Sequence, residues 1–141
     1  MLISARVHYA SLAMIELAAN RSRKAPVTAG EITDRQGIPG PFLVQILRTL
    51  RSAGWVRSTR GSNGGYRLAV EPEDVTLLDI VDAVGCQDAA CQTESKPTPA
   101  DEALRVAWDE ATEASRSVLA KTRLIDLVQA SNRDDAVMFY I

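Results

Sequence analysis

Three groups of side chains in this 141-residue chain could do chemistry. Cys86 and Cys91 are its only two cysteines, with four residues between them. His8 is its single histidine. Arg57, Arg60 and Arg67 flank the run Gly61-Ser62-Asn63-Gly64-Gly65. A Ser–His–Asp hydrolase or a two-histidine zinc protease would have to be built on His8 alone, and no matching motif surrounds it. No nucleophile–base pair or paired carboxylates stand in a recognisable setting, so the chain does not read as an enzyme. Two cysteines are too few for a disulfide scaffold, and a reducing cytoplasm is the expected setting. The glycine run lacks the Gly-Lys-Ser/Thr ending of a phosphate loop and leads into a strand, so nucleotide binding is unsupported. Glycines there let backbone approach a surface closely, and the arginines beside them suit phosphates or a narrow minor groove.

Charge separates these groups. The net charge of −2 is an average over two unlike halves. Residues 1–70 carry ten Lys or Arg and three Asp or Glu, a balance of +7. Residues 71–141 carry six and fifteen, a balance of −9. A basic half is the electrostatic footprint expected of a polyanion-binding surface. The apolar content of 46% supports a packed core, and no apolar run approaches the ~20 residues of a membrane helix. The start at Met1 runs straight into helical periodicity, without the basic region, apolar block and cleavage site of a secretory signal.

The elements that must position these groups follow from periodicity and punctuation. A first helix is expected from about Ser4, its N-cap, to Asn20, with Val7, Ala10, Met14, Leu17 and Ala18 on one face. A basic connection through Arg21, Arg23 and Lys24 ends at Pro26. Thr28 and Glu31 form a capping box for a short second helix ending near Gly37. Pro41 suits the first position of a third helix, whose buried stripe reads Phe42, Leu43, Ile46, Leu47 and Leu50 and which Gly54 stops. Trp55–Ser58 and Tyr66–Val70 read as the strands of a β-hairpin around the glycine-rich tip. Thr76 opens a helix over 77–84, with Leu77, Ile80, Val81 and Val84 inward. Residues 85–100 read as a long irregular loop holding both cysteines. From Pro99 to about Lys121 a long helix carries a heptad-like seam of Leu104, Trp108, Ala111, Ser115, Val118 and Thr122. A short apolar helix over Leu124–Val128 follows, and the β-prone ending Ala136–Ile141 is expected to pack.

Two short helices and a turn, then a hairpin, make a winged helix-turn-helix. Off the buried stripe of the third helix lie Val44, Gln45, Arg48, Thr49, Arg51 and Ser52. Gln45 can address an adenine edge, Val44 a thymine methyl, and Arg48 and Arg51 phosphates. Any one of them could equally belong to an ordinary solvated face; the combination with the wing points to DNA.

The segments Tyr9-Ala10, Gly37–Leu50, Gly54–Ser58, Arg60–Leu68 and Thr76–Ile80 together resemble the IscR/NsrR/CymR group of bacterial transcription regulators, the Rrf-two superfamily. The resemblance covers nearly the whole chain. It implies a homodimer clasped through the long C-terminal helix, two winged helices on a palindromic operator, and a wing arginine at Arg60 that enters the minor groove. The group often has Ser-Tyr-Leu-Glu-Gln where this chain has Pro41-Phe42-Leu43-Val44-Gln45. Val44 cannot accept a hydrogen bond from cytosine, so the usual operator is not assumed. Members that hold an iron–sulfur cluster place three cysteines in the loop where this chain has Cys86 and Cys91, with Lys96, Pro97 and Thr98 where a third would fall. Some relatives use a partner-subunit side chain near the position of His8 as a ligand. The resemblance therefore implies a [2Fe–2S] reading with Cys86, Cys91 and His8, completed by an acid such as Glu94 or Asp88. Two others stand beside it: a reversible disulfide between the two thiols, or no redox role.

The fold expected is mainly α with a small β-hairpin, a winged helix-turn-helix followed by a long C-terminal dimerisation helix. Its divisions are a DNA-binding unit over 1–84, a sensor loop over 85–100, and the dimerisation helix and C-terminal segment over 101–141. The expected function is that of a sequence-specific transcription regulator, taken as a repressor. Its candidate contacts are Thr28, Pro41, Val44, Gln45, Arg48, Arg51, Arg57, Arg60, Ser62, Asn63, Gly64 and Tyr66. The rival is a winged-helix module that docks a partner enzyme and no longer uses DNA.

Overall fold

A computed structural model describes residues 3–85 and 96–139, with side-chain surroundings described through Arg133. Helix α1 (Ala5–Ala19) begins where the Ser4 hydroxyl accepts from the Val7 N–H at 3.2 Å. Its buried face is rich in alanine (Ala10, Ala13, Ala18) around Met14 and Leu17. Small side chains let other elements approach its axis closely, and α1 packs against the second, third, fourth and sixth helices and one strand of the hairpin. It is the post on which the molecule is hung.

Helix α2 (Ala29–Gln36) carries the Thr28/Glu31 capping box and closes at Gly37, whose φ of +66° favours a residue without a Cβ. Ile32 is the only buried residue of α2, and Ile38 fills the turn beneath it. Helix α3 (Gly40–Ser52) has proline in its first turn and buries Leu43, Ile46, Leu47 and Leu50, each no more than 2% exposed. Burying such a side chain contributes about 1.5–3 kcal/mol, so these four seat α3 firmly. Phe42 does not belong to that stripe, contrary to expectation: it is 47% exposed. It falls on the flank of α3 toward α1, where its ring meets Tyr9 edge-on at 5.9 Å, and Ile38 and Leu43 fill the core nearby.

Strands β1 (Val56–Thr59) and β2 (Gly65–Leu68) pair antiparallel, with Val56 opposite Leu68 and Thr59 opposite Gly65. The α1–α2 connection adds a third rung through a bridge between Val27 and Tyr66. Helix α4 (Leu77–Val84) starts from a second capping box, Thr76 with Asp79. Ile80 and Val84 are buried in it, while Leu77 and Val81 are half-buried.

Helix α5 (Pro99–Lys121) is capped by the Thr98 hydroxyl, has Asp101 and Glu102 in its first turn and Lys121 in its last, and buries no residue. Arg116 grips both carboxylate oxygens of Asp82, at 3.1 and 3.3 Å, and fastens α5 to α4. This pairing holds the guanidinium above its ordinary pKa. The junction to helix α6 (Leu124–Phe139) is clipped to the start of α4: Leu77 N–H donates to Thr122 O and Leu124 N–H to Val75 O. Leu124 and Val128 then enter the same core as α1 and α3. The expected short helix is longer than its apolar start suggests, and the β-prone ending is helical as far as Phe139. Extending an existing helix adds one hydrogen bond per residue fixed, without a new nucleation cost. Among the described residues no helix is long and apolar enough to cross a membrane.

Candidate nucleic-acid interface

The face of α3 opposite its buried stripe is unoccupied by protein. Pro41, Val44, Gln45, Arg48 and Arg51 are all exposed, Val44 by 48%. They lie on one exposed face of a single helix, the arrangement that a helix entering a DNA major groove presents. Thr49, expected on that face, is engaged instead: its hydroxyl accepts from Arg6 Nη2 at 3.1 Å and donates to Gln45 O. This fastens α1 to the flank of the recognition helix. Arg51 Nη1 donates to Ser58 Oγ at 3.2 Å and links α3 to the wing.

The wing itself is shaped by glycine. Gly61 has φ +107°, and a Cβ at Gly64 would lie 2.2 Å from the Thr59 carbonyl oxygen, so the tip closes on itself. Arg57, Arg60, Ser62 and Asn63 are exposed, and Gly64 is half-buried. Arg67 differs from its two neighbours. It stands directly across the ladder from Arg57, where like charges repel. Its guanidinium turns away and donates to the backbone carbonyls of Arg23, at 2.8 Å, and Lys24. Arg67 is thus a tie between wing and body, a role no local reading of the hairpin contained. Tyr66 is also set behind the tip, half-buried against the core.

Thr28 is exposed at the start of α2, with its hydroxyl accepting from Glu31 N–H at 3.1 Å. The Glu31 carboxylate takes hydrogen bonds from Arg23 Nη2 at 2.8 Å and from Thr28 N–H at 3.0 Å. Arg23 first, then the Thr28 amide, holds its pKa below the usual carboxylate value. Behind the pair of helices, buried Glu16 accepts from Arg35 Nη1 at 2.9 Å, Gln36 Nε2 at 2.8 Å and Asn20 Nδ2 at 3.2 Å. A buried carboxylate needs such partners. Here they set the angle of α2 against α1.

His8 is exposed on the first turns of α1 and borders an apolar cavity of about 260 Å³ with Val7, Leu12, Leu77 and Val81. Cys86 and Cys91, with Asp88 and Glu94, lie outside the described residues. Among the described residues no three His, Cys, Asp or Glu side chains converge as a metal site.

A two-helix reader seated on a core, with an arginine-bearing wing and a long trailing helix, defines a winged helix-turn-helix transcription regulator. The comparisons with known proteins agree. A sequence profile of the Rrf2 family, described as "Iron-dependent Transcriptional regulator", matches residues 3–130. "Protein rrf2" of Nitratidesulfovibrio vulgaris is 32% identical over 133 residues, covering 92% of this chain and 88% of its own. The HTH-type transcriptional regulator CymR of Bacillus subtilis is 32% identical over 142 residues and covers the whole of both. The solved structure of IscR from T. potens superposes with a TM-score of 0.75 at 30% identity, over 93% of this chain and 88% of that one. The chain belongs to the Rrf2 family of transcriptional regulators, and these relatives are regulators rather than enzymes.

Proposed function

We propose that this chain is a homodimeric repressor that reads a palindromic operator, with α3 in the major groove and the wing in the minor groove. The observation that carries this reading is the division of α3. Leu43, Ile46, Leu47 and Leu50 are spent inside the fold, and Pro41, Val44, Gln45 and Arg48 are left on the exposed side of the helix. A palindrome requires two copies, and α5 supports that. It exposes Leu104 by 53%, Trp108 by 63% and Val118 by 64%, apolar side chains that a second copy would cover. On this reading residues 1–84 bind DNA, 85–100 sense, and 101–141 hold the dimer together.

The input is assigned to Cys86 and Cys91. A Cβ on Gly85, the residue before Cys86, would lie 3.7 Å from Val7 Cγ2, so Gly85 itself sits against the helix turn that exposes His8. Two thiolates and an imidazole are three of the four donors a [2Fe–2S] cluster takes, and Glu94 or Asp88 would supply the fourth. A bound cluster would supply a reversible one-electron change. Cys86 and Cys91 would hold it as thiolates, with His8 as a nitrogen donor.

Selection of an operator from randomised DNA, followed by binding titrations at several salt concentrations, tests the DNA reading. A palindromic consensus bound by one dimer, with affinity falling steeply as salt rises, is the expected result. Binding without sequence preference, or none, overturns it. Anaerobic reconstitution with iron and sulfide tests the sensor. Bound iron with visible charge-transfer bands, lost in Cys86→Ser and Cys91→Ser, is expected. Iron-free protein whose operator affinity responds to oxidation would assign the same thiols to a reversible disulfide instead.

A further inference from the structure

We propose that the groove between the α1–α2 connection and the wing tip seats a phosphodiester backbone of the operator, with Lys24 as its cation and Arg67 as the positioning residue that holds Lys24 there. The inference rests on the DNA-binding reading above and adds a third contact surface to α3 and the tip of the wing.

The connection and the hairpin are built as one piece. Val27 and Tyr66 exchange both backbone hydrogen bonds, at 3.0 and 2.7 Å. A Cβ at Gly65 would fall 2.6 Å from Val27 O, closer than any side chain tolerates. Arg67 completes the join by donating to the carbonyls of Arg23 and Lys24. The backbone from which the Lys24 side chain departs is therefore fixed to the wing, and the two move as a unit.

Between them runs an open groove of about 540 Å³, with Arg23, Lys24 and Thr28 on one side and Ser62, Asn63 and Gly64 on the other. Ala25 and Pro26 form its apolar floor, and the polar groups at its edges, an ammonium, hydroxyls and a side-chain amide, are those of a phosphate contact. Glu31 is the one carboxylate in the lining, and Arg23 already holds it at 2.8 Å. Lys24 is exposed and pairs with no carboxylate among the described residues. Its charge is free for a ligand. With the wing in the minor groove, a phosphodiester strand lies on each side of it, and this groove flanks the wing on its β2 edge, where Val27 pairs with Tyr66. The groove beside the wing is open to solvent rather than enclosed, so a strand can enter it from the surface.

The test uses the full chain and its selected operator, with Lys24→Gln, the charge-preserving Arg67→Lys, and Lys121→Gln at the far end of α5 as a control. Lys24→Gln is expected to weaken binding about 3- to 10-fold at low salt and to lower the slope of log K against log salt by about one, with base preference unchanged. Arg67→Lys keeps the charge but cannot span two carbonyls. It should lose much of the same slope, and Lys24→Gln added to it should cost little more. Replacing single operator phosphates by neutral methylphosphonate should find one position per half-site where the wild type loses affinity and Lys24→Gln does not. A Lys24→Gln protein with wild-type slope and wild-type methylphosphonate profile, on an operator the wild type binds specifically, overturns the inference and leaves the DNA-binding reading standing. A wild type that binds no DNA overturns both.

Discussion

Helices α3 and α5 each carry several large apolar side chains, and the fold uses them in opposite ways. In α3 Leu43, Ile46, Leu47 and Leu50 face inward at 2% exposure or less, and the outward face sets Val44 among Gln45, Arg48 and Arg51. In α5, a helix of 23 residues, nothing is buried, and Leu104, Val106, Trp108 and Val118 stand 53–66% exposed. The first pattern is that of an element whose partner is hydrated and charged. The second is an apolar surface that the described residues of one copy leave uncovered, as a protein-docking surface would be. On the proposed function, the first surface meets nucleic acid and the second meets another copy of the chain.

Substituting one apolar residue in each helix separates the two uses. Leu50→Ala removes a fully buried side chain of α3 and should cost about 2–5 kcal/mol of stability, lowering Tm by roughly 10 °C. A change of only a degree or two would mean that α3 is not anchored as described. Trp108→Asp should behave the other way. The isolated fold keeps its circular dichroism, while the dimer weakens by about 2–4 kcal/mol, some 30- to 1,000-fold in Kd. Sedimentation velocity reads this directly. A Trp108→Asp protein that sediments as the wild type does would break the contrast, because α5 would then have no unmet partner.

A smaller effect sharpens the contrast within the wing. Arg60 is exposed at the tip, whereas Arg67 is tied to the body by two carbonyls. Arg60→Ala should lower operator affinity by about 1–2 kcal/mol, roughly 5- to 30-fold, with dimer mass and Tm unchanged. Unchanged binding would show that the tip makes no groove contact. A matching fall in Tm would show that Arg60, like Arg67, is a structural tie.

Much of this was legible because the signals are local. Ser4, the Thr28/Glu31 box and Thr76 announce three helix starts from short stretches of chain. The buried stripe Leu43, Ile46, Leu47, Leu50 is a plain 3.6-residue period, and subtracting it exposes the recognition face. What was not legible depends on contacts between residues far apart in sequence. Thr49 looked free because Arg6, 43 residues earlier, is outside any helical window. Arg67 looked like a third wing cation because the carbonyls it binds lie 43 and 44 residues away. Phe42 looked buried because its spacing fits the stripe, yet Tyr9 draws it to the flank. Cys86 and Cys91 were legible as donors by type alone; where they sit is beyond the described residues.

The smallest expected effect concerns Glu31, the carboxylate placed among the cations of the DNA-facing half. Its pKa is lowered in the folded chain, chiefly by the hydrogen bond from Arg23. A carboxyl lowered on folding stabilises the native state above its unfolded value, about 4.3 for glutamate, and loses that contribution as pH falls through the folded value. Glu31→Gln keeps an acceptor for the capping box and removes the charge. The wild type should therefore melt slightly above the variant at neutral pH, and the gap should close on acidification below about pH 4 and with added salt. A gap independent of pH would assign the stabilisation to the cap geometry alone. The same substitution removes the one negative charge lining the groove beside Lys24, so operator affinity should rise at neutral pH, by a few-fold at most. A protein that becomes slightly less stable and slightly tighter on DNA would place Glu31 on the boundary between what holds the reader together and what it reads.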